Sequence, residues 1–143
     1  MTTPPKSPVH LYIVGVGSLL WNATGAFDYL MTHTENEEYM ANFTAEQLEF
    51  FYSLPSWVVA FWALAVWGGV LGALLLVLKR KLAAQVLLLS FASMLVTTVH
   101  NLGFADAADI LGPAGLAFSA VIWLWALGLV VYSRKMVAKG VLR

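Results

Sequence analysis

Four long apolar runs, separated by short polar segments, make up most of this chain. They extend over about residues 9–29, 55–78, 82–102 and 113–132. Each has the roughly 20 residues that a helix needs to cross a hydrocarbon core about 30 Å thick. None carries the broad polar face of a helix from a soluble bundle, so the pattern predicts transmembrane helices. The first run lies where a signal peptide would. One lysine precedes it, no small-x-small cleavage pattern follows, and Asn22 and Asp28 interrupt it, so it reads as a retained helix. The expected fold class is all-α: a single polytopic membrane domain, 1–143, built as a four-helix bundle.

The polar segments divide the runs cleanly. Residues 1–8 (MTTPPKSP) form a proline-rich arm. Residues 30–54 form a loop with five glutamates, in which Thr44 and Gln47 have capping-box spacing and Leu48, Phe51 and Tyr52 fall on one helical face. A short amphipathic helix on the membrane surface is predicted there. Pro55 and Pro113 suit the first turns of the second and fourth runs, where a missing N–H would have no intrahelical partner anyway.

Composition sharpens this reading. At 60% hydrophobic and 11% charged, with a mean hydropathy of +0.77, the chain is too apolar for an ordinary soluble domain. It has no cysteine, which excludes disulfides, thiolate metal sites and cysteine nucleophiles. The formal net charge of zero hides a sorting of charges along the chain. The eight basic residues are Lys6, the turn Lys79, Arg80 and Lys81, and the tail Arg134, Lys135, Lys139 and Arg143. All eight acids lie between Asp28 and Asp109, in or beside the other two connections. By the positive-inside rule both termini and the basic turn are cytoplasmic and both acidic loops are outside. Tyr29 and Trp57 near the outer boundary, and Tyr12 and Tyr132 near the inner one, fit aromatic belts. No basic stripe suggests a nucleic-acid partner.

Candidate chemistry concentrates on the third and first runs. Ser90, Ser93, Thr97, His100 and Asn101 line one stripe of the third helix. Gly15, Ser18, Asn22 and Tyr29 share a face of the first, with Trp21 and Asp28 on the adjoining one. The two helices run in the same direction, and counting from their basic ends sets Ser18 level with Ser90 and Asp28 level with His100. We therefore expect the stripes to pack inward and Asp28 to meet His100 near the acidic surface. Two readings stand: a ligand or proton site, since ionisable groups in spans mark pathways, and interhelical hydrogen bonding with no further role.

Gly68, Gly69 and Gly72 contain a G-x-x-x-G, which lets another backbone approach closely, either a span of the same chain or a second copy. Trp21, Trp67, Trp123 and Trp125 lie near mid-membrane, away from the interfaces that tryptophan prefers. They can fill volume or line a pocket for a pigment, quinone or sugar. His10 and His100 fall at opposite ends of their helices and cannot share one haem iron, and the His33-Thr-Glu-Asn-Glu-Glu run matches no known ligand spacing. No nucleophile motif, phosphate loop or HExxH is present, so neither catalysis nor a metal or other cofactor is expected.

The segments WNATGAFDYLMT and FYSLPSWVVAFWALAVWGGVLGALLLVLKRK resemble a family of small four-span proteins of proteobacterial inner membranes. The resemblance rests on Trp21, Asn22 and Gly25, on Tyr52 with Pro55 and Trp57, on Gly68, Gly69 and Gly72, and on the basic turn Lys79 to Lys81. It covers roughly the first hundred residues and implies a bacterial inner membrane. The family's common label, sugar transporter, implies solute transport. The residues themselves favour a non-catalytic accessory or interaction subunit, or a small binding protein of the bilayer, whose partners are the lipid and another membrane protein or a second copy. The alternative is a small oligomeric transporter using the stripe of the first and third runs.

Overall fold

A computed structural model describes residues 8–103 and 107–143, and every element among them is helical. The arm with Lys6 and the loop residue Asp106 lie outside the described residues. Four helices are long: α1 (Val9–His33), α4 (Ser56–Val77), α5 (Leu82–Gly103) and α6 (Ala107–Ala138). Two short ones, α2 (Glu37–Met40) and α3 (Ala45–Tyr52), fold the loop between α1 and α4. Three helices are long and apolar enough to cross a membrane: α4, α5 and the Gly112–Ala138 part of α6. The sequence reading expected four. At 25 residues α1 has the length, but His10, Ser18, Asn22, Thr24 and Asp28 dilute its apolar character.

Local chemistry sets the helix ends. Pro8 precedes α1 and Pro55 precedes α4, each in extended backbone at the N-cap. α3 has a complete capping box: the Gln47 amide donates to Thr44 Oγ1 and the Thr44 amide to Gln47 Oε1, both at 3.1 Å. Three helices stop in the same way, with a residue in the left-handed region just past the C-cap: Glu35 (φ 52°), Lys79 (φ 60°) and Gly140 (φ 75°). The next amide in each case reaches back to the carbonyl five residues earlier, as in Asn36 to Met31 and Val141 to Met136. Gly112, at φ 71° and ψ 179°, breaks α6 immediately before Pro113. The described part of the second acidic loop is therefore a helical turn, and the apolar part of α6 starts afresh behind it.

The long helices pack in chain order, α1 on α4, α4 on α5 and α5 on α6. Glycine makes the first two seams. A Cβ on Gly15 would strike Val77, one on Gly69 would strike the Asn22 amide, and one on Gly72 would strike Leu87. Phe91 and Trp123, 5.2 Å apart, join α5 to α6. At the basic end Leu11, Leu76, Ala83, Met136, Val141 and Leu142 form a buried core. After Gly140 the chain doubles back, and Arg143 bonds the basic turn through its backbone, donating to Lys79 O at 3.0 Å and accepting from Lys81 N at 3.1 Å. At the acidic end α3 leans on α6 and α2 on α1, with Met40 and Phe50 buried. α3 thus caps the end of the helices rather than lying apart from them.

Candidate functional site

The polar stripe of α5 is consumed largely by its own backbone. Ser93 donates to Leu89 O at 2.9 Å and Thr97 to Met94 O at 2.8 Å. Ser90 alone among them bonds another helix, donating to Ala65 O of α4 at 2.6 Å where Gly68 lets it approach. Asn22 donates to Ser18 O at 2.8 Å and presses its amide oxygen against Gly69. Gly68 and Gly72 therefore receive α5 while Gly69 receives α1, so the whole glycine cluster is occupied within one chain. What remains between Trp21, Asn22, Gly69, Ser90, Met94 and Trp125 is a cavity of about 20 Å³, room for a single water. Ser18 Oγ is the one buried side-chain polar atom among the described residues without a hydrogen-bond partner.

Asp28 and His100 take different partners. Asp28 accepts a short hydrogen bond from the Tyr39 hydroxyl of α2. Burial, and then the hydrogen bond to Asp28 and its charge, push the Tyr39 phenol up to about 12. His100 sets its ring edge-on to Trp57 at 5.3 Å and pairs with the neighbouring Asn101, Nδ1 to Oδ1 3.1 Å. The expected meeting of Asp28 with His100 gives way because α1 and α5 lie on different faces of α4.

Aromatic rings fill the remaining spaces. Trp21 packs on Trp125 at 5.5 Å and on Phe118 at 6.2 Å, joining α1 to α6. Trp67 meets Tyr29 at 6.5 Å. A cluster that sequence reasoning missed brings Tyr29, His33 and Trp62 together, with His33 to Trp62 at 5.1 Å and Tyr29 to Trp62 at 5.2 Å. Its signal was present in the i, i+4 spacing of Tyr29 and His33, but Trp62 needed the α1–α4 register to join them.

Besides a cleft of about 300 Å³ at Trp57, Val99 and His100, two more open at the acidic end. One, of about 260 Å³, lies among Thr32, His33, Glu35, Tyr52 and Ser56. The other, of about 230 Å³, lies among Phe50, Trp62, Thr97, Asn101, Ser119 and Trp123. Neither sets a nucleophile against a base. Among the described residues no group of three or more His, Asp or Glu side chains is placed to hold a metal.

A larger opening is lateral. Between α1 and α6 runs an apolar groove of about 700 Å³, walled by Ile13, Gly17, Val121, Leu124, Gly128 and Tyr132. Trp125 of its wall packs on Trp21. His10 Nδ1 and the Tyr132 hydroxyl, 2.6 Å apart, close one end. No protein-family model, curated protein or solved structure matches the chain.

Proposed function

We propose that the chain is an integral protein of a bacterial inner membrane in which all four long helices cross the bilayer, with both termini cytoplasmic. It serves as a non-catalytic accessory or interaction subunit. The observation that carries this reading is the closed interior. The polar groups that a solute path would use, Asn22, Ser90, Ser93 and Thr97, are bonded to backbone carbonyls. The space left beside Asn22 and Ser90 admits one water. A transporter of sugars or comparable solutes needs a far larger cavity at mid-membrane. With the interior filled, the surfaces that face lipid and the acidic end are left for function. Placing α1 in the bilayer is supported by its seam with α4 and by Asn22, whose amide is satisfied within the protein. The basic turn and the basic end of α6 support the orientation.

The test combines accessibility with composition. Single cysteines at Ser90 and Ser93 should resist a water-soluble maleimide in reconstituted vesicles. Tagged full-length protein extracted in mild detergent should migrate with a stoichiometric membrane partner. Rapid labelling of both positions together with solute flux into vesicles holding this protein alone would overturn the reading in favour of transport.

A further inference from the structure

The α1–α6 groove has the length, position and charge of a lipid site. On α6 its wall runs from Val121 to Tyr132, eleven residues, or about 16 Å of helix. That is roughly half of a hydrocarbon core about 30 Å thick, the depth of one leaflet. The leaflet is the one at the basic end, because His10 and Tyr132 lie there beside the Leu11 and Met136 core. Its walls are apolar. Adding a Cβ to Gly17 or Gly128 would meet nothing within 4 Å, so the glycines leave depth that no side chain of this chain fills.

The mouth is cationic. Val121, Leu124, Gly128 and Tyr132 follow one helical stripe of α6, and three and seven residues further that stripe reaches Lys135 and Lys139. Both lysines are exposed. In sequence every acidic side chain falls from Asp28 to Asp109, so no Asp or Glu follows Lys135 or Lys139 or shares their stretch of the chain. We infer that the groove seats one acyl chain of an anionic phospholipid from the basic-end leaflet, its phosphate held by Lys135 and Lys139 beside the His10–Tyr132 pair. Basic pockets between membrane helices hold anionic head groups in this way. The inference rests on the membrane placement proposed above and is independent of the accessory role.

The experiment uses purified full-length protein in phosphatidylcholine bilayers at low ionic strength. Tail-brominated phosphatidylglycerol or tail-brominated phosphatidylcholine is titrated in, and quenching of Trp125, which lines the groove, is read as the difference from Trp125→Phe. Phosphatidylglycerol should bind about fivefold more tightly for each lysine engaged. The double variant Lys135→Gln/Lys139→Gln should lose that preference, whereas Arg134→Gln, off the stripe, should keep it. Gly128→Leu, which fills the groove, should lower quenching by both lipids with the helical content unchanged. Equal quenching by the two lipids in the unaltered protein would overturn the inference. So would a preference that survives loss of both lysines, or one that Arg134→Gln lowers as much. No partner enters this assay, so its failure is separate from failure of the accessory reading.

Discussion

Replacing Gly72 with alanine tests the seam between α4 and α5. A Cβ there would lie 2.5 Å from Leu87 Cδ2, 2.6 Å from its Cγ and 3.5 Å from its backbone nitrogen. Carbon atoms rest at about 3.5–4.0 Å, so roughly 1 Å must be found. Rotation about χ2 does not supply it, because that leaves Cγ in place, and rotation about χ1 is opposed by packing, since Leu87, only 3% exposed, is clustered with Leu129 and Val130 of α6. Overpacking of this kind costs about 1–3 kcal/mol, and the better helix propensity of alanine returns up to about 1 kcal/mol. The net expectation is a loss of about 0–3 kcal/mol. Gly128→Ala, with nothing within 4 Å of its Cβ, keeps only the propensity term and should gain up to about 1 kcal/mol. Gly69→Ala should fall between them, since the Asn22 amide can swing aside at the loss of its bond to Ser18 O, worth about 0.6 kcal/mol on average in membranes. Reversible unfolding in mixed micelles, followed by far-ultraviolet circular dichroism, ranks the three. Leu87→Ala in the Gly72→Ala background should relieve part of the loss, giving a coupling of about 1 kcal/mol or more. Equal stability of Gly72→Ala and Gly128→Ala would refute the α4–α5 seam described here.

Tyr39 should titrate late: its phenol is raised from 10.0 to about 12, so its contribution to stability is intact below pH 10 and is lost as pH rises through about 12. Absorbance at 295 nm should show a late component that Tyr39→Phe removes and Asp28→Asn shifts down only partly, burial being the larger cause; a Tyr39 that ionises at 10 would refute the contact. Ser18→Ala should leave stability unchanged or raise it, because it removes a buried hydroxyl with no partner, whereas Ser90→Ala should lower it by about 0.6 kcal/mol through loss of the bond to Ala65. The same unfolding assay decides, and a destabilised Ser18→Ala protein would count against a dry, unpaired site. Leu142→Ala empties a position that is only 3% exposed in the basic-end core and should cost about 2–5 kcal/mol; proteolysis near the basic turn should accelerate with it, and an unchanged rate would mean that the docked segment adds nothing.

Helices α1, α3, α4 and the apolar part of α6 were readable because a local device announces each, whereas the short α2 was not foreseen. Pro8 and Pro55 mark starts, Thr44 with Gln47 writes out a cap, and Gly112 with Pro113 dictates a break. The stops were less readable. Glu35 and Lys79 adopt a backbone conformation usually left to glycine, so α1 runs to His33, past the end that polarity suggested. The charges of Arg134 and Lys135 likewise read as a tail beyond the span, yet both lie on α6. Their charge marks the edge of the apolar zone rather than the end of the helix. Nothing local foretold that Val141 and Leu142 would be buried. That depends on Gly140 turning the chain back onto a core made by three other helices.

The pairing of Asp28 with His100 failed for a reason more general than either residue. Charge sorting and span length set the direction of each helix and the depth of each side chain, and on depth alone the two groups are level. Neighbours are a separate question. When successive helices alternate in direction and pack in chain order, two that run the same way are separated by the one between them. The information about neighbours sits in α4, whose glycines face two ways: Gly69 admits Asn22 of α1, and Gly68 and Gly72 admit Ser90 and Leu87 of α5. A polar stripe on α1 or α5 is thereby spent on α4 rather than on a shared channel. Between α1 and α6 no described glycine seam draws the backbones together; side chains join them instead, His10 to Tyr132, Val14 to the Leu129 and Val130 cluster, and Trp21 to Trp125 and Phe118. Gly17 and Gly128 then deepen an opening instead of closing a contact, which is why a wide apolar space lies at the side of the molecule.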